Sequence, residues 1–208
     1  AGGHYRLQGA IGTGIMAVGL WLLSQMGIGT TSAAAIRNMI ITGFGRGITM
    51  PLYTIAVQNA VSQKALGTAT SATAFSRSIG GSVGLAIYGS ILNNRFAAEL
   101  SAKLPEDVKS AVPPQQMDSL LHNPQALMSP EAQSQLHSTI GQIGQQGEAL
   151  FQQVMESLRQ SLDVSISQVF LYGMFVIVLA FIINFFIKEI PLRTHFDIDT
   201  SHLEKKVK

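Results

Sequence analysis

Apolar residues run in four stretches long enough to cross a bilayer, and polar residues fall between them. The first spans about residues 7–26 (GAIGTGIMAVGLWLLSQM). A Gly/Thr turn from Ile28 to Ser32 separates it from the second, about residues 33–57. A short polar link with Lys64 leads to the third, about residues 68–92. The fourth, ISQVFLYGMFVIVLAFIINFFI, covers residues 166–187. At 1.5 Å per residue each is long enough for a hydrocarbon core of ~30 Å. Lipid offers no hydrogen-bond partners to an open backbone, so all four are expected to be α-helices. The fold class predicted is therefore an all-α integral membrane protein.

Between spans three and four lie residues 94–164. Pro105, Pro113, Pro114 and Pro124 predict an irregular first part. Ser129-Pro130-Glu131 is a helix-start signal. Leu136, Ile140, Ile143, Leu150, Val154, Leu158 and Leu162 then recur at helical spacing, which predicts an amphipathic helix over about 130–163. Packed over the outer mouth, leading into span four, or standing as a solvated stalk are all open to it. The division expected is thus three spans in 1–93, an outer loop in 94–164, the last span in 165–187 and a tail in 188–208.

Composition sharpens this picture. Of 208 residues 47% are hydrophobic and 12% charged, against about a quarter charged in an ordinary soluble domain. No Asp or Glu precedes Glu99, and no charge lies between Leu7 and Ile36. Arg6, Lys64, Lys188 and Arg193 flank the spans on one side, which the positive-inside rule assigns to the cytoplasm; Arg37 and Arg95 oppose it. The net charge of +2 and the lack of an aromatic-interleaved basic patch argue against nucleic acid. Without cysteine there is no disulfide or thiolate metal site. His4, His122, His137, His195 and His202 are scattered, so no metal is expected. No phosphate-binding loop, HExxH or nucleophile–base set appears, so neither a cofactor nor an enzyme is expected.

The candidate chemistry lies in residues 43–95. Arg77 sits about ten residues into span three, and Gly81, Gly84 and Tyr88 fall on its helical face. A charge in hydrocarbon costs at least ~2.5–3.5 kcal/mol, so Arg77 reads as a gate or counter-charge on a transport path, or as a structural arginine bonded to helix carbonyls. Arg46 lies between Gly43 and Gly47, a small-xxx-small pair that predicts helix contact. Arg46 and Tyr88 join Arg77 as candidate path residues. Gly80, Gly81 and Gly84 form a second close-contact face. Pro51 is the candidate hinge.

These residues carry a resemblance. GFGRGITMP, then IAVQNAV, then ALGTATSATAFSRSIGGSVGLAIYGSILNNR resembles the C-terminal end of fourteen-span drug:proton antiporters of the major facilitator superfamily, the EmrB/QacA type. Phe75, Arg77, Gly80, Gly81, Gly84, Asn94 and Arg95 carry the most specific part. Ser62 stands where that family often has proline in the link. The resemblance implies spans eleven to fourteen of such a protein in a bacterial inner membrane. It implies proton-driven export of hydrophobic, often cationic, compounds by alternating access. Lipid, substrates, protons and the remaining spans are then the partners, and an adaptor on the periplasmic loop is an open question. The acidic proton carriers of that family would lie outside this chain, which alone would be inactive. The alternative is a free-standing four-span protein acting as a structural or regulatory oligomer, with its glycine faces as oligomer contacts.

Overall fold

The computed structural model describes residues 5–111, 121, 129–141 and 147–187. The regular elements among them are helices: α1 (Tyr5–Ser24), α2 (Ser32–Ala60), a single 3-10 turn (Gln63–Ala65), α3 (Leu66–Lys103), α4 (Glu106–Ala111), α5 (Pro130–Gly141) and α6 (Gly147–Asn184). The fold is all-α, as the apolar runs require. The tail at 188–208 and the stretch holding Pro113, Pro114 and Pro124 lie outside the described residues.

Three helices, α1, α2 and α6, are long and apolar enough to cross a membrane. The expected third span is also helical, within α3, but it is more polar than the other three. Hydroxyls, glycines and Arg77 interrupt its apolar residues. Two expected boundaries are not breaks in the backbone. Helix α3 continues past residue 93 to Lys103, and α6 runs from Gly147 through residue 164 to Asn184. Of the amphipathic helix expected over 130–163, the described residues form α5 (Pro130–Gly141) and the first part of α6, which from Gly147 is one rod with span four.

The reason for these extensions is packing. Phe96, Leu100 and Leu104, with Val108 of α4, interlock with Leu150, Val154, Met155 and Leu158 of α6. This is the buried apolar cluster of the structure, and it stands beyond the apolar stretches. Ser161 and Ser165 follow on the same face of α6, fully buried, each returning its hydroxyl to the carbonyl four residues earlier. Helix α5 is tied to the start of α6 by His137 Nε2 and Glu148 Oε2 at 3.0 Å, with the His137 ring edge-on to Phe151. Hydrogen bonds from Gln152 and His137 hold the Glu148 carboxyl below its usual range. That contact is present at neutral pH and is lost as pH falls and Glu148 takes up a proton.

Within the apolar stretches the contacts are of another kind. Gly45 of α2 lies against the Gly12 carbonyl and Met16 of α1; a Cβ there would sit 2.7 Å from each. Gly12 meets Thr49, and Gly19 meets Thr42. The pairing glycine of α2 is thus Gly45. Gly43 and Gly47, the small-xxx-small pair of the sequence, have nothing within 4 Å of an added Cβ. Spacing alone marks three glycines, and only the orientation of α2 decides which one meets α1.

Two asparagines fasten the ends. Asn38 is 3% exposed; its Nδ2 donates to the Leu22 carbonyl at 3.2 Å, one of the last four of α1 that helix geometry leaves open. Ser167 of α6 donates to the Met26 carbonyl just beyond. At the other end Asn184 is 1% exposed. Its Nδ2 donates to the Arg6 carbonyl at 2.8 Å, and its Oδ1 accepts from the Tyr53 hydroxyl at 3.2 Å. One amide therefore joins α1, α2 and α6.

Two outcomes follow from these contacts. Gly45→Leu is expected to force α1 and α2 apart, at a cost of about 1–3 kcal/mol, and to lower the thermal midpoint of the protein in detergent. Gly47→Leu, into open space, should leave α1–α2 packing unchanged in the same assay. Asn184→Leu should cost about 1 kcal/mol, read as a smaller drop in that midpoint.

Candidate functional site

Helix α2 has two faces. Asn38, Thr42, Gly45, Thr49 and Leu52 form the one that meets α1. Gly43, Arg46, Gly47, Met50 and Thr54 recur at helical spacing on a side turned away from it. That side is largely open: Gly43, Arg46, Gly47 and Met50 are exposed.

Helix α3 turns its own Arg77 face to the lower part of this side. Thr70, Arg77, Gly81, Gly84 and Tyr88 lie on that face at offsets of seven, four, seven and eleven from Arg77. Arg77 Nη2 donates to Thr54 Oγ1 at 3.2 Å, and Gln58 Nε2 donates to Thr70 Oγ1 at 3.2 Å. Both bonds lie near the short link that contains the 3-10 turn. Beyond Arg77 the two helices part. Gly80, Gly81 and Gly84 have nothing within 4 Å of an added Cβ.

Higher up, α3 leans on α6 instead. The Tyr88 hydroxyl approaches Gly173, and Arg95 Nη2 reaches the Tyr172 hydroxyl at 3.5 Å. The spans thus form an open row, α2–α1–α6–α3. A cleft between α2 and α3 is pinched at the Arg77–Thr54 bond and widens away from the link.

The structure brings Arg77 onto α2 and half-buries Tyr88 between α3 and α6. It does not bring Arg46 to either. The Arg46 guanidinium is exposed at the midpoint of α2, equidistant from Ser32 and Ala60. Pro51 is also exposed, and α2 passes through it as one continuous helix. Among the described residues no acidic group pairs with Arg46 or Arg77. Glu99 is held by Lys103, Glu106 by Lys109 and Glu148 by His137.

Sequence reasoning missed Thr54, Gln58 and Asn184 as partners. Thr54 stands eight residues from Arg46 on the same side of α2, a spacing open to notice. Asn184 is a lone amide in an apolar run, which is a signal in itself.

The family model described as "Fungal trichothecene efflux pump (TRI12)" matches residues 2–203. The chain is 31% identical over 196 residues to the multidrug transporter protein MdtP of Bacillus subtilis, covering 93% of this chain and 36% of that protein. It is 29% identical over 199 residues to the uncharacterized MFS-type transporter Rv1877 of Mycobacterium tuberculosis, covering 95% and 25%. It is 26% identical over 209 residues to the MFS-type efflux transporter phmH of Phaeosphaeria nodorum, covering 98% and 32%. The chain therefore spans between a quarter and about a third of the length of these relatives. No solved structure matches it.

Proposed function

This chain belongs to the trichothecene-efflux-pump family of MFS-type transporters, which are multi-pass membrane proteins and not enzymes, and we propose that it supplies the last four spans of a multidrug efflux pump. The family match over residues 2–203 carries this reading. In it the pump is of the fourteen-span EmrB/QacA type and exports hydrophobic or cationic compounds by alternating access. Names such as multidrug transporter and efflux transporter among the relatives support export as the direction.

Protons are the coupling ion in this proposal. Arginine does not deprotonate in a protein, so the titrating carboxylates come from helices outside these residues. The chain alone does not transport. The start of α1, the end of α6 and the α2–α3 link lie at one end of the row. Arg6 and Lys64 at that end support its assignment to the cytoplasm. The identity to proteins of Bacillus and Mycobacterium supports a bacterial cell membrane.

Arg77 acts as a gate residue in this scheme. Its bond to Thr54 closes the cleft between α2 and α3 at the cytoplasmic end. A guanidinium offers several donors in a fixed fork, so it can hold Thr54 and leave it as the helices shift. Tyr88 is a path residue further out in the same scheme, where α3 meets α6.

Dye export from cells expressing the full-length gene tests the function. Export that stops when an uncoupler collapses the proton gradient is the expected result; export that persists removes proton coupling. Within that assay Arg77→Ala should lower export at least ten-fold with the membrane level unchanged. Arg77→Lys should retain part of it. Wild-type export rates in Arg77→Ala would remove the gate.

A further inference from the structure

Arg46 is the cation that the gate leaves unexplained. At 1.5 Å per residue its Cα lies about 21 Å from either end of α2, too deep for its side chain to reach water along the helix. Among the described residues no side chain bonds it. Thr49 contacts only its backbone carbonyl. None of the four apolar stretches contains an Asp or Glu to pair with it. Up to Glu99 there is no Asp or Glu, and Glu99 is paired with Lys103 at 3.4 Å. Asp163 lies beside Gly27, beyond the far end of α1.

The surface around Arg46 is shaped for close approach. Gly43 and Gly47 flank it with open space where a Cβ would be, and Met50 is 41% exposed. Small residues let a second helix come near in lipid, and a buried charge there pairs with another group or faces a water-filled cavity. A second copy of this chain would set arginine against arginine. Lipid would leave the guanidinium unpaired. A substrate anion would pair with it only while bound. The relatives are about three to four times longer than the matched region, which provides the sequence for a resident partner.

We propose that the Gly43–Arg46–Gly47–Met50 side of α2 is the docking surface for a further membrane helix of the same protein, one that carries an Asp or Glu near its middle and pairs it with Arg46. The proposal rests on the reading of the chain as part of a larger transporter. It does not depend on what that transporter exports.

Photo-cross-linking separates the two. The full-length protein in its native membrane carries a benzoylphenylalanine at Met50, and the adduct is identified by mass spectrometry. The expected adduct is a peptide from outside residues 1–208, within a membrane segment containing Asp or Glu. Adducts to lipid only, to a second copy of this chain, or to a segment without an acid would each overturn the proposal. A second measurement reads the charge. Arg46→Gln should lower the level of membrane-inserted protein several-fold, and Arg46→Lys should restore it. Neutralising the cross-linked acid in the Arg46→Gln background should also restore it, because a lone carboxylate is worse than none. An unchanged level in Arg46→Gln, or no rescue by the second neutralisation, would refute the pairing. Loss of export alone would bear on the gate and leave both readouts intact.

Discussion

Hydrocarbon gives two apolar helices no reason to meet, because lipid tails are as apolar as leucine. The contacts within the apolar stretches follow from that constraint. Where α1 meets α2, the meeting residues are Gly12, Gly19, Thr42, Gly45 and Thr49. Many large apolar side chains face outward instead: Leu85 is 76% exposed and Phe186 84%. Only beyond the apolar stretches, where water restores the hydrophobic effect, do Phe96, Leu100, Val154 and Leu158 gather into a core. The molecule thus has two kinds of cohesion, close backbone packing between α1 and α2 in the apolar stretches and oil-like burial between α3 and α6 beyond them.

The same constraint explains the placement of its amides and hydroxyls. A backbone carbonyl at the end of a helix has no water to turn to when the end is buried. Asn38 meets Leu22 and Ser167 meets Met26, while Asn184 adds a second bond to the Arg6 carbonyl in the first turn of α1. Each bond contributes modestly, about 0.6 kcal/mol on average in membranes. Each also fixes the register of one helix against another, which smooth apolar surfaces do poorly.

Much of this was legible in the sequence. The ends of α1 and α2 follow from the apolar runs, and the start of α5 from Ser129 and Pro130. The continuity of α6 was legible only as one of three alternatives, the one in which the amphipathic helix leads into span four. Nothing local says that its water-side half and its apolar half share one axis. Gly45 was passed over for Gly43 and Gly47 because a spacing rule finds pairs of small residues without knowing which way they face. Arg77 was singled out by its position, but its partner Thr54 is 23 residues away and belongs to another helix. Pairings of that kind arise from the arrangement of whole helices, to which a linear pattern is blind.

Helix α6 has 38 residues and therefore a length of about 57 Å, with no joint where the apolar stretch ends. A tilt of only ~5° about its Asn184 end would carry Gly147 some 5 Å sideways. The aqueous core built on it would travel along like the head of an oar whose blade moves unseen. Rearrangement deep in the bilayer is in this way geometrically magnified at the surface.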